Sequence, residues 1–286
     1  MKKIIFLLMI ALLFIVAGCD SKKANETDPS LFNYTTLKDG TLSFSINMDL
    51  DTERSNIERI IIPSSYDGKR ITRVGYMYSA TLKEVIIPNT VREIDEIAFY
   101  GCFSLTHVEI PDSVVSIGNS AFYGCSSLAN IEIPDSVGSV GPYAFCGCSS
   151  LLSMIIPDSV ISIGEGAFSS CISLQHIKLP SNVTNIGART FYFCENLEKI
   201  TIPDSVTSIG ADAFARCKSL TRITIPQSII KINDSAFEDC YLLTDINYLG
   251  TKEMWTSIDK EFNSNHLLDK FTILCTDGVI IGNVDE

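Results

Sequence analysis

Apolar and polar positions recur with a fixed period of 23 residues along most of this chain. Four columns of one residue type keep this register. They are the prolines Pro88, Pro111, Pro134, Pro157, Pro180, Pro203 and Pro226, the phenylalanines Phe99, Phe122, Phe145, Phe168, Phe191, Phe214 and Phe237, the cysteines Cys102, Cys125, Cys148, Cys171, Cys194, Cys217 and Cys240, and the leucines Leu105, Leu128, Leu151, Leu174, Leu197, Leu220 and Leu243. A fixed period of this size is typical of a solenoid, in which each turn buries its apolar side only against its neighbours.

One period predicts a short strand followed by a segment that returns to the core. Val108 and Ile110 alternate with polar residues as in a half-buried strand. Pro111 ends that strand because it has no N–H group to donate. Val114 and Ile117 then re-enter the core. The pattern therefore predicts short strands joined by turns around one continuous core.

A glycine follows the second apolar pair in most periods, as Gly118 does after Ile117. The two exceptions are Asp95 and Asn233. Asn and Asp are the side chains that best tolerate a positive φ. We therefore expect a left-handed backbone at this corner in every turn, with a short helical or 3₁₀ segment after it.

The repeat I-P-x-S-V-x-x-I-G-x-x-A-F-x-x-C-x-x-L resembles the BspA-like, or Treponema-type, bacterial leucine-rich repeats from Ile57 to about Tyr248. The resemblance implies a β-rich leucine-rich repeat solenoid, capped at both ends, in a surface protein that adheres to host or neighbouring-cell proteins. The chain departs from the general leucine-rich repeat at the asparagine ladder position. Small polar residues stand there, namely Thr90, Ser113, Ser136, Ser159, Asn182, Ser205 and Ser228. We expect their side chains to bond the backbone of a neighbouring turn.

The first residues are typical of an export signal. Two lysines precede an apolar run from Ile4 to Val16, which is too short to cross a bilayer. Small residues then lead to Cys19, in an arrangement that resembles a bacterial lipobox. The sequence predicts a lipoprotein signal peptide at 1–18, lipidation of the Cys19 thiol and a flexible tether at 19–30. An ordinary signal peptide with an incidental cysteine is the alternative.

The remaining chain is predicted to form a repeat region between two caps. The ranges are 31–82 for an N-terminal cap with a degenerate repeat, 83–248 for the repeats and 249–286 for a C-terminal cap. The first cap contains an alternating strand from Leu42 to Met48. The second contains a helix around Lys252 to Lys260 and then a hairpin from Phe271 to Ile281.

Charge narrows the class of partner. The chain has 22 Lys and Arg residues against 34 Asp and Glu residues, for a formal net charge of −12. Nucleic-acid binding depends on a basic face that neutralises phosphates. We therefore expect no nucleic-acid partner.

Candidate catalytic and metal-binding residues all have simpler interpretations. The cysteine column is predicted to be buried core, because free Cys is among the most buried residue types, although its stacking also suits a metal or disulfide interpretation. His107 and His176 are three turns apart, about 14 Å at ~4.8 Å per turn, too far to share a metal ion. Aspartates such as Asp112 occupy Pro-Asp-Ser turns, which favours turn formation over a calcium ladder. We predict no catalytic site, metal site or cofactor.

Outward-pointing strand residues form the predicted binding face, on the concave side of the solenoid. They include Glu84, Ile86, His107, Glu109, Glu132, Ile155, His176, Lys178, Lys199 and Arg222. Acidic residues lie in the N-terminal half, whereas Lys178, Lys199 and Arg222 form a basic strip in the C-terminal half. Such a strip favours a negatively charged region of a partner, and a merely solvated face is the alternative.

These observations together predict a non-enzymatic, monomeric lipoprotein at the bacterial cell envelope or surface. Its concave sheet would bind an unidentified host or bacterial protein, and its N-terminal lipid would contact the membrane. A glycan-binding or envelope-associated module is the alternative, and it would require aromatic residues in the strand rows. None occurs there before Tyr248, and Trp255 is predicted to pack the C-terminal cap rather than stack on a sugar.

Overall fold

The computed structural model describes residues 31–46, 57–260 and 271–281. The predicted signal peptide at 1–18, the lipidated Cys19 and the tether at 19–30 lie outside these residues. Within the described residues no helix is long and apolar enough to span a membrane.

The described chain forms a β-solenoid of about nine turns with a spacing of about 23 residues, which confirms the predicted leucine-rich repeat solenoid. In chain order its strands are β1 (Phe32–Thr36), β2 (Leu42–Ile46), β3 (Arg59–Ile61), β4 (Ser65–Tyr66), β5 (Lys69–Val74), β6 (Glu84–Ile86), β7 (Glu93–Ile94), β8 (His107–Glu109), β9 (Ser116–Ile117), β10 (Ser139–Val140), β11 (Ser153–Ile155), β12 (Ser162–Ile163), β13 (His176–Lys178), β14 (Asn185–Ile186), β15 (Lys199–Thr201), β16 (Ser208–Ile209), β17 (Arg222–Ile225), β18 (Lys231–Ile232), β19 (Asp245–Tyr248), β20 (Asp259–Lys260), β21 (Thr272–Cys275) and β22 (Gly278–Ile280). One helix, α1 (Lys252–Ser257), lies between β19 and β20.

Each regular turn contributes a strand to one or both of two parallel stacks. The first stack contains β3, β6, β8, β11, β13, β15, β17, β19 and β21. The second contains β2, β5, β7, β9, β10 and β12 in one ladder and β14, β16, β18 and β20 in another. Residues one period apart are direct partners, as His176 is of Ser153, and Lys199 of Arg222. The 23-residue columns of the sequence are therefore columns in space.

The phenylalanine column forms the spine of the core. Rings of successive turns lie between 5.1 and 5.8 Å apart, measured between centroids. Their planes are stacked in every one of these pairs. All seven side chains are buried. This spine confirms the predicted continuous core.

The cysteine column lies beside the rings as buried free thiols, which confirms its interpretation as core. Each thiol donates to a carbonyl in the preceding turn, at 3.2 Å from Cys125 to the Phe99 oxygen and 3.1 Å from Cys194 to the Phe168 oxygen. Burial raises the pKa of these thiols, to about 11 for Cys102. The column therefore holds neutral, hydrogen-bonded side chains that tie neighbouring turns together.

The small polar column forms a second ladder between turns, as predicted. The Ser113 hydroxyl donates to the Val91 carbonyl at 2.5 Å, and the Ser136 hydroxyl to the Val114 carbonyl at 2.6 Å. Ser205 and Ser228 repeat this bond at 2.5 and 2.6 Å. Ser159 is the exception, because its buried hydroxyl has no partner among the described residues.

The glycine column has a different cause from the one predicted. Gly118 does not have a positive φ, which occurs two residues later at Ser120 and again at Gly124. A Cβ atom at Gly118 would lie 2.5 Å from the Glu96 nitrogen in the preceding turn. The expectation of a left-handed glycine was therefore wrong, and close approach of two backbones selects glycine instead. The segment after it forms successive turns rather than a continuous helix. Each turn is closed by a backbone bond to the residue three places before, as the Cys125 N–H donates to the Phe122 carbonyl at 3.1 Å.

Both ends of the solenoid are covered by irregular elements. At the N-terminal end β1 and β2 form an antiparallel pair. At the other end α1 begins at the N-cap Thr251, whose side chain accepts from the Met254 N–H. The helix is shorter than predicted because Ile258 is extended and the chain continues into β20. Trp255 is buried against Tyr248, as predicted, and β21 and β22 form the predicted hairpin.

Candidate functional site

The solvent side of the first strand stack, here called the strand face, carries the residues that the sequence predicted for binding. Exposed are His107, Glu109, Glu132, Ile155, His176, Lys178, Lys199 and Arg222, and half-buried are Glu84 and Ile86. Strand register places Glu84 beside His107 and Ile155 beside Lys178. The outward-pointing residues predicted from the sequence therefore lie in two adjacent columns on one face, one through Glu84 and His107 and the other through Ile155 and Lys178.

The strand face is divided into separate ladders, whereas the sequence predicted a concave sheet. Its ladders are β3-β6-β8, then β11-β13, then β15-β17-β19-β21-β22. Glu132 lies in the first gap, in a turn that has no strand at this position. The second gap separates β13 from β15. The predicted surface is consequently three short sheets.

The second gap opens a depression of about 640 Å³ that is lined by residues of β13, β15 and β17. Its apolar lining includes Ile177, Leu179 and Ile200, and its charged lining includes Lys178 and Arg222. We call it the basic hollow. Its full lining is Asp158, His176, Ile177, Lys178, Leu179, Ser181, Lys199, Ile200, Thr201, Pro203, Arg222 and Thr224. This volume is in the range of ordinary ligand pockets.

The basic strip makes no direct ion pairs. Within the described part of the chain, Lys178, Lys199 and Arg222 have no carboxylate oxygen within 4 Å of their charged nitrogens. Seven other cations have such partners, among them Arg189 with Asp212 at 3.1 Å. In the same described residues no such pair is made by Lys38, Lys69, Arg70, Arg92 or Lys252 either. The strip therefore groups three cations without direct ion pairs on one face, and Asp245 is the register partner of Arg222 in the next strand.

One carboxylate does lie at the margin of the basic hollow. Asp158 accepts a hydrogen bond from the Ser181 N–H at 2.7 Å. This backbone bond is the main reason that the pKa of Asp158 is lowered, and the charge of Lys178 lowers it further. Asp158 is thus ionised and bonded to Ser181 in the next turn of the solenoid, a bond between turns that the turn interpretation of the aspartate column did not predict.

The acidic half of the strand face is partly neutralised. Glu84 pairs with Arg59 at 2.8 Å, and the two residues are register partners in β3 and β6. Glu109 and Glu132 have no ion pair in the part of the chain that the structure describes. The charge contrast that the sequence predicted between the two halves is therefore reduced at its N-terminal end.

The described ranges contain no group of three or more His, Cys, Asp or Glu residues placed to hold a metal ion. His107 and His176 lie in different ladders of the divided strand face. The thiols have raised pKa values because of burial, to about 12 for Cys240, whereas a nucleophilic cysteine needs a lowered pKa. The arrangement suits binding rather than covalent chemistry.

A cluster of aromatic residues that the sequence did not predict lies on another side of the solenoid and is here called the aromatic cluster. Tyr78, Tyr100 and Phe103 are exposed in it, and Tyr123 is half-buried. The Tyr100 and Tyr123 rings are stacked, with centroids 4.9 Å apart. The available signal was a tyrosine directly after the phenylalanine column in two successive periods.

Two solved structures of leucine-rich repeat proteins are similar to this chain, and the first of them supports the fold. A leucine-rich repeat protein from Bacteroides ovatus is 24% identical, with a TM-score of 0.60 over 88% of this chain and 79% of that chain. The leucine-rich repeat protein of T. pallidum is 28% identical, with a TM-score of 0.46 over 78% of this chain and 81% of that chain. A comparison with curated proteins found no match.

Family comparison covers most of the repeat region. The BspA type leucine rich repeat region matches with six copies, over residues 69–197 and 138–268. These residues include every regular turn whose phenylalanine and cysteine ladders are described above. The chain therefore belongs to the family with BspA-type leucine-rich repeats.

Proposed function

We propose that this chain is a non-enzymatic, monomeric lipoprotein of the bacterial cell surface that binds a protein partner through its strand face. The partner is a host or bacterial surface protein, and the resulting contact is adhesive. Export and lipidation at Cys19 rest on the apolar run and the small residues that precede this cysteine.

The basic hollow is the observation that carries the proposal. It combines three cations that make no direct ion pair with an apolar lining on an exposed sheet. Charged residues at the edge of an interface steer association, whereas a desolvated apolar centre supplies most of the affinity. The hollow supports a binding role because it offers both kinds of surface at one place.

Glycan binding is the second candidate, favoured by the aromatic cluster. Tyr100 and Phe103 expose 41% and 52% of their surface, and exposed rings offer apolar contact area with a polar handle on tyrosine. This cluster lies away from the predicted strand rows, so the two candidate functions use different surfaces.

A binding screen with a charge-reversed variant tests the proposal. Full-length protein in mild detergent is applied to immobilised extracellular matrix proteins and, in parallel, to a glycan array. The variant carries Lys178→Glu, Lys199→Glu and Arg222→Glu. Its control carries Lys38→Glu, Lys69→Glu and Arg70→Glu, which makes the same change in charge at exposed positions of the N-terminal region.

The proposal predicts that at least one protein binds the native chain and the control with similar affinity. The affinity of this protein for the charge-reversed strip variant should be lower by about tenfold or more. Binding to glycans alone would contradict it, and so would protein binding that the strip variant retains. A glycan signal that disappears with Tyr100→Ala would instead establish the second candidate.

Membrane attachment is tested separately. The Cys19→Ala variant removes the thiol that would receive the lipid, so the protein should move from the membrane fraction to the soluble fraction of the expressing bacterium. Retention in the membrane fraction would show that another segment holds the chain there.

A further inference from the structure

We infer that the basic hollow binds an acidic peptide segment of the partner and that one apolar side chain of this segment enters the hollow between β13 and β15. This inference rests on the proposed function, since it names the chemistry of the partner at the same face.

The hollow exists because the backbone ladder is open at this point. In three other turns the residue that follows the strand donates its N–H group to the next turn, as Ile62 does to the Ile86 carbonyl at 3.0 Å. The same bond runs from Ile156 to the Lys178 carbonyl at 3.0 Å and from Ile202 to the Thr224 carbonyl at 2.9 Å. Within the described residues Leu179 makes no such bond to Thr201, although Ile87 also makes none to Glu109 in the paired strands β6 and β8. What distinguishes β13 and β15 is that they belong to different ladders. Their turns are joined just before the strands, where the Glu198 N–H donates to the Gln175 carbonyl at 3.5 Å.

The opening exposes apolar surface that other turns bury. Ile177 is half-buried, whereas its register partner Met154 and its counterpart Ile200 are buried. Ile177 and Ile200 both line the hollow, together with Leu179. Apolar surface in a concave site gains from covering by an apolar side chain, at about 25 cal/mol per Å² removed from water. The hollow therefore favours an occupant with an aliphatic group.

The rim sets the spacing of the charges. Neighbouring turns are about 4.8 Å apart and residues along a strand about 3.3 Å apart. Lys178 and Arg222, which are two turns and two strand positions from each other, are therefore separated by about 12 Å. In an extended peptide, residues two places on either side of a central residue point to the same face as that residue and span about 13 Å. Carboxylates at these places reach Lys178 and Arg222 while the central side chain points into the hollow.

A sulfated or phosphorylated polysaccharide matches only half of this site. It would satisfy the charges of Lys178, Lys199 and Arg222, but it carries no aliphatic side chain to cover Ile177. The lining contains no Phe, Tyr or Trp, and His176 is its one aromatic side chain, so the site lacks the large stacking surface that suits sugar rings. A peptide with an apolar residue between acidic residues uses both the rim and the floor.

Fluorescence anisotropy with labelled peptides tests the inference on the full-length chain in mild detergent. The probe is Ser-Glu-Glu-Leu-Glu-Glu-Ser. One control peptide replaces the central Leu by Ser, and a second replaces every Glu by Gln. Heparin, added as an unlabelled competitor and also as a labelled probe, represents a sulfated polysaccharide. The probe should bind at least about tenfold more tightly than either control peptide, and its affinity should fall as salt rises.

Matched protein variants locate the binding. Lys199→Gln should lower the affinity for the probe peptide by about tenfold. Lys38 is also exposed and is far from Lys199 along the chain, so Lys38→Gln should leave this affinity unchanged. Ile177→Thr, which keeps a β-branched side chain in the strand, should make the Leu and Ser peptides bind alike. Ile155→Thr, at an exposed position outside the lining, should preserve their difference.

Equal binding of the Leu and Ser peptides to the native chain would overturn the inference, and so would binding of heparin alone. An effect of Lys199→Gln no larger than that of Lys38→Gln would also overturn it. In each of these outcomes the strip variant still decides the proposed function, because loss of a captured protein partner from that variant does not depend on the peptide probe.

Discussion

Replacement of Gly164 by alanine tests whether close approach of two turns selects glycine in this column. A Cβ atom at Gly164 would lie 2.2 Å from the Pro142 nitrogen and 2.5 Å from the Pro142 Cα atom. Both atoms belong to backbone, so no flexible side chain can move aside. Ordinary contact begins near 3.4 Å, so two neighbouring turns would have to separate locally by at least about 1.2 Å.

The magnitude follows from two opposing effects. Forcing an extra methyl group into a well-packed interior costs about 1–3 kcal/mol, and Gly164→Ala belongs at the upper end because backbone must shift. Alanine also reduces the conformational freedom of the unfolded chain, which stabilises the folded state by about 0.4–1 kcal/mol. The expected result is a net loss of about 2 kcal/mol in the free energy of unfolding.

Two other glycines provide matched controls. At Gly138 the nearest atom to an added Cβ would be the Val115 carbonyl oxygen, at 3.8 Å, and at Gly187 it would be the Thr190 hydroxyl oxygen, at 3.3 Å. Gly138→Ala should therefore be neutral or stabilising, and Gly187→Ala should fall between the two.

Urea unfolding followed by far-UV circular dichroism gives the order of the three variants from their transition midpoints. Equal slopes of the transitions are required for this comparison, because long repeat arrays do not always unfold in one step. If Gly164→Ala were as stable as Gly138→Ala, the backbone-approach explanation of the glycine column would be refuted.

The remaining predictions concern single polar groups. Ser136→Ala should lose about 1 kcal/mol because it deletes the hydrogen bond between turns, whereas Ser159→Ala should be neutral or stabilising, since its hydroxyl is buried without a partner; urea midpoints of both variants would show the contrast, and equal losses would contradict it. Burial raises the pKa of Cys102 from 9.0 to about 11, so its contribution to stability is complete below pH 9 and is lost as the pH rises through 11; unfolding midpoints measured from pH 8 to 11.5 in the native chain and in Cys102→Ala should show a steeper fall for the native chain. Burial, opposed by Arg73, raises the pKa of Asp95 from 3.8 to about 6. The contribution of this residue to stability is therefore complete below about pH 4 and is lost as the pH rises from about 4 to 6. Asp95→Asn should flatten the plot of unfolding free energy against pH in that window, whereas an unchanged plot would contradict the raised pKa.

The stacking of the turns was predictable because one period repeats identical side chains at identical positions. Once Phe122 and Phe145 are in register, the intervening columns follow, including the ladder bond of Ser136 and the burial of Cys148. Each of these features depends on which residue stands at a position, and this is what a sequence pattern records.

Features that depend on the distance between turns were not predictable in this way. Ser159 has the same sequence context as Ser136 but lacks its bond. The open ladder at Leu179 also follows a strand whose apolar pattern matches those of its neighbours. The apolar and polar classes of the pattern do not distinguish either case, although Leu179 stands in a column that is otherwise isoleucine.

The charge of the basic hollow was visible in the sequence, but its shape was not. Lys178, Lys199 and Arg222 were predicted as a basic strip on a concave sheet. Their lack of ion pairs and the apolar floor at Ile177 emerge only when turns that are far apart in sequence are placed together. The binding-face prediction thus supplied the residues, and the structure adds the reason that they form a candidate site.

Amide hydrogen exchange with and without a bound protein partner tests the central claim most directly, because it maps the contact without altering the chain. The Leu179 N–H, which has no bond to Thr201, should exchange rapidly in the free protein. On binding, the amides of residues 175–179 and 198–202 should exchange more slowly, and the amides of β12 and β14 in the second stack should be unchanged. Protection confined to the second stack or to the aromatic cluster, with no change between β13 and β15, would contradict it.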